Sequence, residues 1–161
     1  MASIYEAVAL GDIGSVNEFL DEEDVDLDKP DEDGLTALHH AAQSGQAAAG
    51  ALLIDCGANP NVFDRDGNTP LHLTAVHNTR LVTSMLMWGG AEATAKNGKG
   101  NTPLHEAALH DAKDTAWLLI ENGEDVTEWK NNDGKVPLDL AVEKNNERVK
   151  QVIVTREHDG E

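Results

Sequence analysis

His77 and His110 stand 33 positions apart in a chain of 161 residues. Imidazole is the side chain most often recruited for proton transfer, metal ligation and pH sensing. Glu106 and Asp111 flank the second histidine, so one reading is a metal-dependent enzyme built on His77 and His110. That chemistry is incomplete. A catalytic zinc takes three protein ligands and an open position, and two imidazoles fall short of it. No Gly-x-Ser-x-Gly, no phosphate-cradling loop with Lys-Ser/Thr and no His-Glu-x-x-His occurs. Asp24, Asp26 and Asp28 begin like a calcium loop, but its sixth and twelfth positions hold Lys29 and Leu35 instead of Gly and Glu. Cys56 sits beside Asp55 with no cation to activate its thiolate, and reads as inert. No catalytic residue, cofactor or metal is expected, and a pH effect on binding is the more plausible use of the two histidines.

The spacing of those histidines belongs to a larger regularity. Gly34-Leu35-Thr36-Ala37-Leu38-His39 returns as Gly67-Asn68-Thr69-Pro70-Leu71-His72, as Gly100-Asn101-Thr102-Pro103-Leu104-His105, and in weaker form as Gly134-Lys135-Val136-Pro137-Leu138-Asp139. The steps between the glycines are 33, 33 and 34 residues. Such constancy means that one structural unit is stacked, because each copy must present the same face to the next. Gly11, Gly45, Asn78, Asp111 and Asn145 share another phase, and all are types that tolerate the left-handed conformation ending a helix. Gly57, Gly90 and Gly123 mark where a second helix should stop. Thr69 and Thr102 are placed to cap, with Pro70 and Pro103 at the first helical position.

The Thr-Pro-Leu-His-x-x-Ala core and the 33-residue period resemble the ankyrin repeat. The resemblance implies an all-α solenoid of helix-turn-helix units joined by β-hairpin-like loops. Five units fit residues 1–154: an N-terminal cap over 1–33, then 34–66, 67–99, 100–133 and a C-terminal cap from 134 to 154, with a polar tail over 155–161. It also implies that His39, His72 and His105 hydrogen-bond within and between repeats as structural groups. Its binding surface, carried over by phase, is the row of loop tips together with the exposed side of the first helices. On the loops this selects Glu32, Asp33, Leu35, Phe63, Arg65, Asp66, Lys96, Lys99, Trp129, Lys130 and Lys135. On the helices it selects Val76, His77, Leu109 and His110.

Phe63, Val76, Leu109 and Trp129 put apolar groups on a face expected to be wet, as the centre of an interface does. The tips also run from acidic (Glu32, Asp33) through mixed (Arg65, Asp66) to basic (Lys96, Lys99, Lys130, Lys135), a field that would orient a partner. The net charge of −18 disfavours nucleic acid and anionic lipid. It favours a protein or peptide partner with a basic segment, and nine acidic residues lie within positions 21–33 as a candidate dock. The competing account of that run is a connector kept soluble by charge.

No apolar stretch is long enough to span a membrane and no signal peptide is visible, so a cytoplasmic location is expected, with the nucleus possible. The chain stops soon after its last unit, which suggests a stand-alone, monomeric adaptor, scaffold or inhibitor. Trp88 and Trp117 fall on the outer side of the second helices, where tryptophan's usual burial predicts contact with neighbouring units. The alternative is a convex patch for homo-oligomeric association. The alanine-rich stretch 46–53, with Gly50 inside it, predicts the weakest interior unit.

Overall fold

Each repeat begins with a helix start that threonine and histidine build together. In the computed structural model, which describes residues 3–122 and 127–159, Thr36, Thr69 and Thr102 are N-caps with extended backbone. Each threonine side chain accepts the backbone N–H of the histidine three residues on, and that histidine's Nδ1 accepts the threonine N–H at 3.1 Å. This reciprocal box satisfies donors that a helix start leaves orphaned. Pro70, Pro103 and Pro137 occupy the first helical position, where the missing N–H costs nothing. In the last unit Val136 has no acceptor to offer, and only half of the box survives: Asp139 Oδ2 accepts the Val136 N–H at 2.9 Å.

Ten helices form among the described residues: α1 (Ile4–Leu10), α2 (Ile13–Leu20), α3 (Ala37–Ser44), α4 (Ala47–Asp55), α5 (Pro70–His77), α6 (Arg80–Trp88), α7 (Pro103–Leu109), α8 (Lys113–Asn122), α9 (Pro137–Glu143) and α10 (Glu147–Asp159). No strand is assigned among the described residues. The turns within pairs need a left-handed residue, and Gly11, Gly45, Asn78, Asp111 and Asn145 supply it with φ of 68°, 74°, 50°, 52° and 56°. Gly57 and Gly90 are left-handed after α4 and α6 (φ 99° and 91°), whereas Gly123 lies outside the described residues.

The odd-numbered helices pack in chain order into one layer and the even-numbered helices into a second, each pair leaning on the next. This is an all-α repeat solenoid. Leu38, Leu71 and Leu104 repeat at the 33-residue step in the first layer, and Leu53, Leu86 and Leu119 do so in the second; all are fully buried. Alanines at 41, 42, 75, 107, 108 and 141 fill the space between, and no Phe, Tyr or Trp is fully buried, although Tyr5 and Phe19 pack against the edge of the core. Gly50 has a packing role as well as a cost: a Cβ there would collide with Met85 Cε of the next unit.

Two expectations fail. Trp88 is 90% exposed and Trp117 is 47% exposed, so neither is covered by its neighbours. Among the described residues nothing packs above the second-helix layer, and the hollow beside Trp88 is lined there by Ser84, Met87 and Asn122, too little to enclose an indole. Average burial of tryptophan loses to position in the stack. The polar tail also starts later than residue 155, because α10 runs through Asp159. Ile153 is buried, Arg156 reaches Glu121 at 3.4 Å, and no Gly or Pro interrupts the segment.

Candidate protein-interaction surface

The hairpin tips are built by one residue type at one step. Asp31, Asp64, Asn97 and Asn131 each turn Oδ1 onto two backbone N–H groups, two and four residues further on, at 2.8–3.0 Å. Each also donates its own N–H to the carbonyl four residues later, closing the loop. Sequence reasoning selected the tips and missed these four residues, although their spacing repeats the 33, 33 and 34 of the glycines. Asx side chains that bond their own backbone are the signal that would have found them.

Neighbouring tips are then tied to each other. The Gly98 N–H donates to Asp66 O at 2.9 Å and the Asn132 N–H to Lys99 O at 3.1 Å. Asn97 Nδ2 donates to Asn68 Oδ1 and Asn131 Nδ2 to Asn101 Oδ1, both at 2.9 Å. The first tip has no such backbone link to the second; the Arg65 guanidinium donates to Glu32 O instead.

Glu32 and Asp33 are exposed on the first tip, while Leu35 is half-buried against the core. Phe63 is 56% exposed just before the second tip. Arg65 and Asp66 are exposed beside it, the former committed to Glu32 and the latter to Gly98 through its carbonyl. On the third and fourth tips Lys96, Lys99, Trp129 and Lys130 are exposed. Lys96 Nζ lies 5.3 Å from the centre of the Trp129 ring and donates to Lys130 O at 2.9 Å, bringing three of the selected residues together. Lys135 is half-buried and pairs with Glu143 at 2.8 Å, so the basic end of the row is partly used within the chain.

On the helices, Val76 and Leu109 are half-buried, and Leu109 packs against the core. His77 and His110 are exposed at the ends of α5 and α7. No hydrogen bond or ion pair joins the two among the described residues; His110 Nε2 instead faces Glu106 Oε2 at 3.7 Å. No group of three or more His, Cys, Asp or Glu placed to hold a metal occurs among the described residues. The acidic run is partly architectural. Asp26 Oδ1 accepts the Asp28 N–H, and Asp28 Oδ1 accepts the Asn59 N–H of the next unit. Asp31 Oδ2 lies 2.6 Å from His40 Nε2. Burial pushes the Asp31 carboxyl up, but the hydrogen bonds from His40, Leu35 and Asp33 outweigh it and leave it below the usual range.

Stacked helix pairs fused by a strip of hydrogen-bonded loops define a repeat scaffold. A family model described as ankyrin repeats (3 copies) matches residues 4–92 and again 72–160. The chain belongs to the ankyrin repeat family, whose repeats are generally protein–protein interaction modules. No curated protein is significantly similar to the chain. No helix among the described residues is long and apolar enough to cross a membrane.

Proposed function

We propose that the chain is a non-catalytic adaptor, scaffold or inhibitor that binds a protein or peptide along its hairpin tips and first helices, the concave side in this family. The observation that carries this reading is Phe63, an aromatic side chain 56% exposed on a strip of loops otherwise pinned by hydrogen bonds. Trp129, 40% exposed and topped by Lys96, is a second anchor on the same strip. Rigid aromatic groups on a preformed surface contribute much of an interface's energy at little ordering cost. The net charge of −18 favours a basic segment in the partner and disfavours nucleic acid. The reading includes a monomer working in the cytoplasm or nucleus.

Affinity capture from native lysate tests it, with the wild-type chain beside Phe63→Ala/Trp129→Ala shown to be folded by circular dichroism. Proteins retained by the first and lost by the second support the concave site. Equal retention by both removes it.

Trp88 favours a second reading. It is 90% exposed, and Leu81, two turns earlier on α6, is 72% exposed. An apolar stripe of this kind suits self-association through the convex side. A sedimentation coefficient that rises with concentration in wild type, and not in Trp88→Ala, would select this reading.

A further inference from the structure

A groove of about 720 Å³ opens between the second and third hairpin tips, and Asp64, Asn68, Asn97 and Glu106 line it. Glu106 is only 8% exposed. A buried carboxylate is costly unless its oxygens are hydrogen-bonded. Asn97 Nδ2 and Asn101 Nδ2 both donate to Oε1, at 3.0 and 2.9 Å. Oε2 receives no hydrogen bond among the described residues but is not an orphaned buried atom, so it opens to the groove; His110 Nε2, 3.7 Å away, can pair with it only when protonated.

Asp64 repeats this one-sided arrangement in the same groove. Its Oδ1 accepts the Asp66 and Asn68 N–H groups at 2.9 and 2.8 Å, while Oδ2 has no donor among the described residues. In the first hairpin the corresponding oxygen of Asp31 is taken by His40, nine residues on. Nine residues after Asp64 stands Leu73, which cannot donate. In the third and fourth hairpins the residue is asparagine, whose Nδ2 is itself a donor and is used. Among the cations near the groove, Arg65 is held by Glu32 O, and Lys99 pairs with neither carboxylate.

We infer that this groove receives an arginine side chain of the bound protein, with Glu106 and Asp64 as its acceptors. The inference rests on the interaction-module reading and specifies the chemistry of one contact within it. Arginine suits the pair better than lysine, because its planar fork offers five donors to two acceptors and keeps its charge when desolvated.

N-acetylargininamide titrated at low salt into isotope-labelled protein tests the contact, read by NMR at the Asn97 and Asn101 side-chain amides that touch Glu106. Saturable shifts there and in residues 64–68 are expected, and the neutral isostere N-acetylcitrullinamide should not produce them. Glu106→Gln combined with Asp64→Asn keeps the oxygens that the fold uses, and asparagine already fills the second position in the next two hairpins. That variant should bind the arginine probe roughly tenfold more weakly or worse, the loss of one or two charge-assisted hydrogen bonds. Absent shifts, equal shifts with the citrulline compound, shifts centred on residues 21–33, or unchanged affinity in the variant would each overturn the inference. The probe touches neither Phe63 nor Trp129, so a negative result leaves the capture experiment, and the reading that it tests, standing separately.

Discussion

His72 Nε2 lies 2.8 Å from the carbonyl oxygen of Asn101, one repeat further along the stack. The same link joins His39 to Asn68 O and His105 to Lys135 O, each at 2.9 Å. Because Nδ1 accepts the N–H of the capping threonine, the single ring proton must sit on Nε2, where it is donated to the next repeat. One neutral imidazole thus starts its own helix and fastens the following hairpin. A second ring proton would point Nδ1–H at the threonine N–H.

This arrangement makes stability depend on pH. Burial holds the pKa of His39, His72 and His105 below the ordinary value, against the raising effect of the carbonyl hydrogen bonds. The unfolded chain takes up these protons as pH falls through ~6.5, while the native chain does not. The stabilisation is complete above ~6.5 and is lost as pH falls toward the lowered native values. Because three rings share the same arrangement, their contributions to the slope add. The lowered carboxyls of Asp12, Asp31 and Asp111 act further down, below their ordinary range near ~4. Urea midpoints at pH 7.5, 6.5 and 5.5 measure the effect; a midpoint that stays constant across these values contradicts it.

Gly67 and Gly57 separate two reasons for needing glycine. Both have positive φ, 78° and 99°. A Cβ on Gly57 would meet nothing within 4 Å, whereas one on Gly67 would stand 2.8 Å from the Gly98 amide nitrogen, the donor that ties the third tip to the second. Gly57→Ala should cost about 1 kcal/mol of backbone strain. Gly67→Ala should cost about twice that or more, since it adds the loss of a hydrogen bond between tips. Equal losses in denaturant titrations would show that the close approach has no energetic weight.

Amide exchange should be fastest, away from the two ends, in residues 46–53. Helix α4 is made mainly of alanine there, and a mid-helix glycine costs roughly 1 kcal/mol against alanine. Gly50→Ala removes that cost and displaces only the flexible end of Met85, which can swing aside. A gain of about 0.5 kcal/mol with slower exchange in α4 is expected. A loss of stability would mean that Met85 has no second position.

The repeat was legible because its demands are local and periodic. A left-handed turn admits few residue types, so Asn78, Asp111 and Asn145 could be placed by phase alone, and Thr69-Pro70 marks a helix start by the chemistry of the first turn. What stayed hidden depends on neighbours from other units. Whether Trp88 is covered depends on what the adjacent helix presents, and Asn122 presents too little. The pairing of Lys96 with Trp129 crosses a unit boundary where the extra residue of the 100–133 repeat blurs the register. Glu106 was visible only as a neighbour of His110, and its role as the acceptor of Asn97 and Asn101 stayed hidden because those donors come from the loop before its helix.

The ties between tips are uneven along the row. Main-chain bonds join the second tip to the third and the third to the fourth, but the first is joined to the second through the Arg65 side chain. A main-chain bond between loops that are themselves closed by hydrogen bonds resists shear, whereas a long side chain gives way by rotating about its own bonds. Mechanically, then, the strip is a stiff bar of three tips with a compliant joint at its acidic end. Under tension from the chain ends, α1 and α2 should peel away as a first, low-force step, and Arg65→Ala should lower that force without altering the later ones.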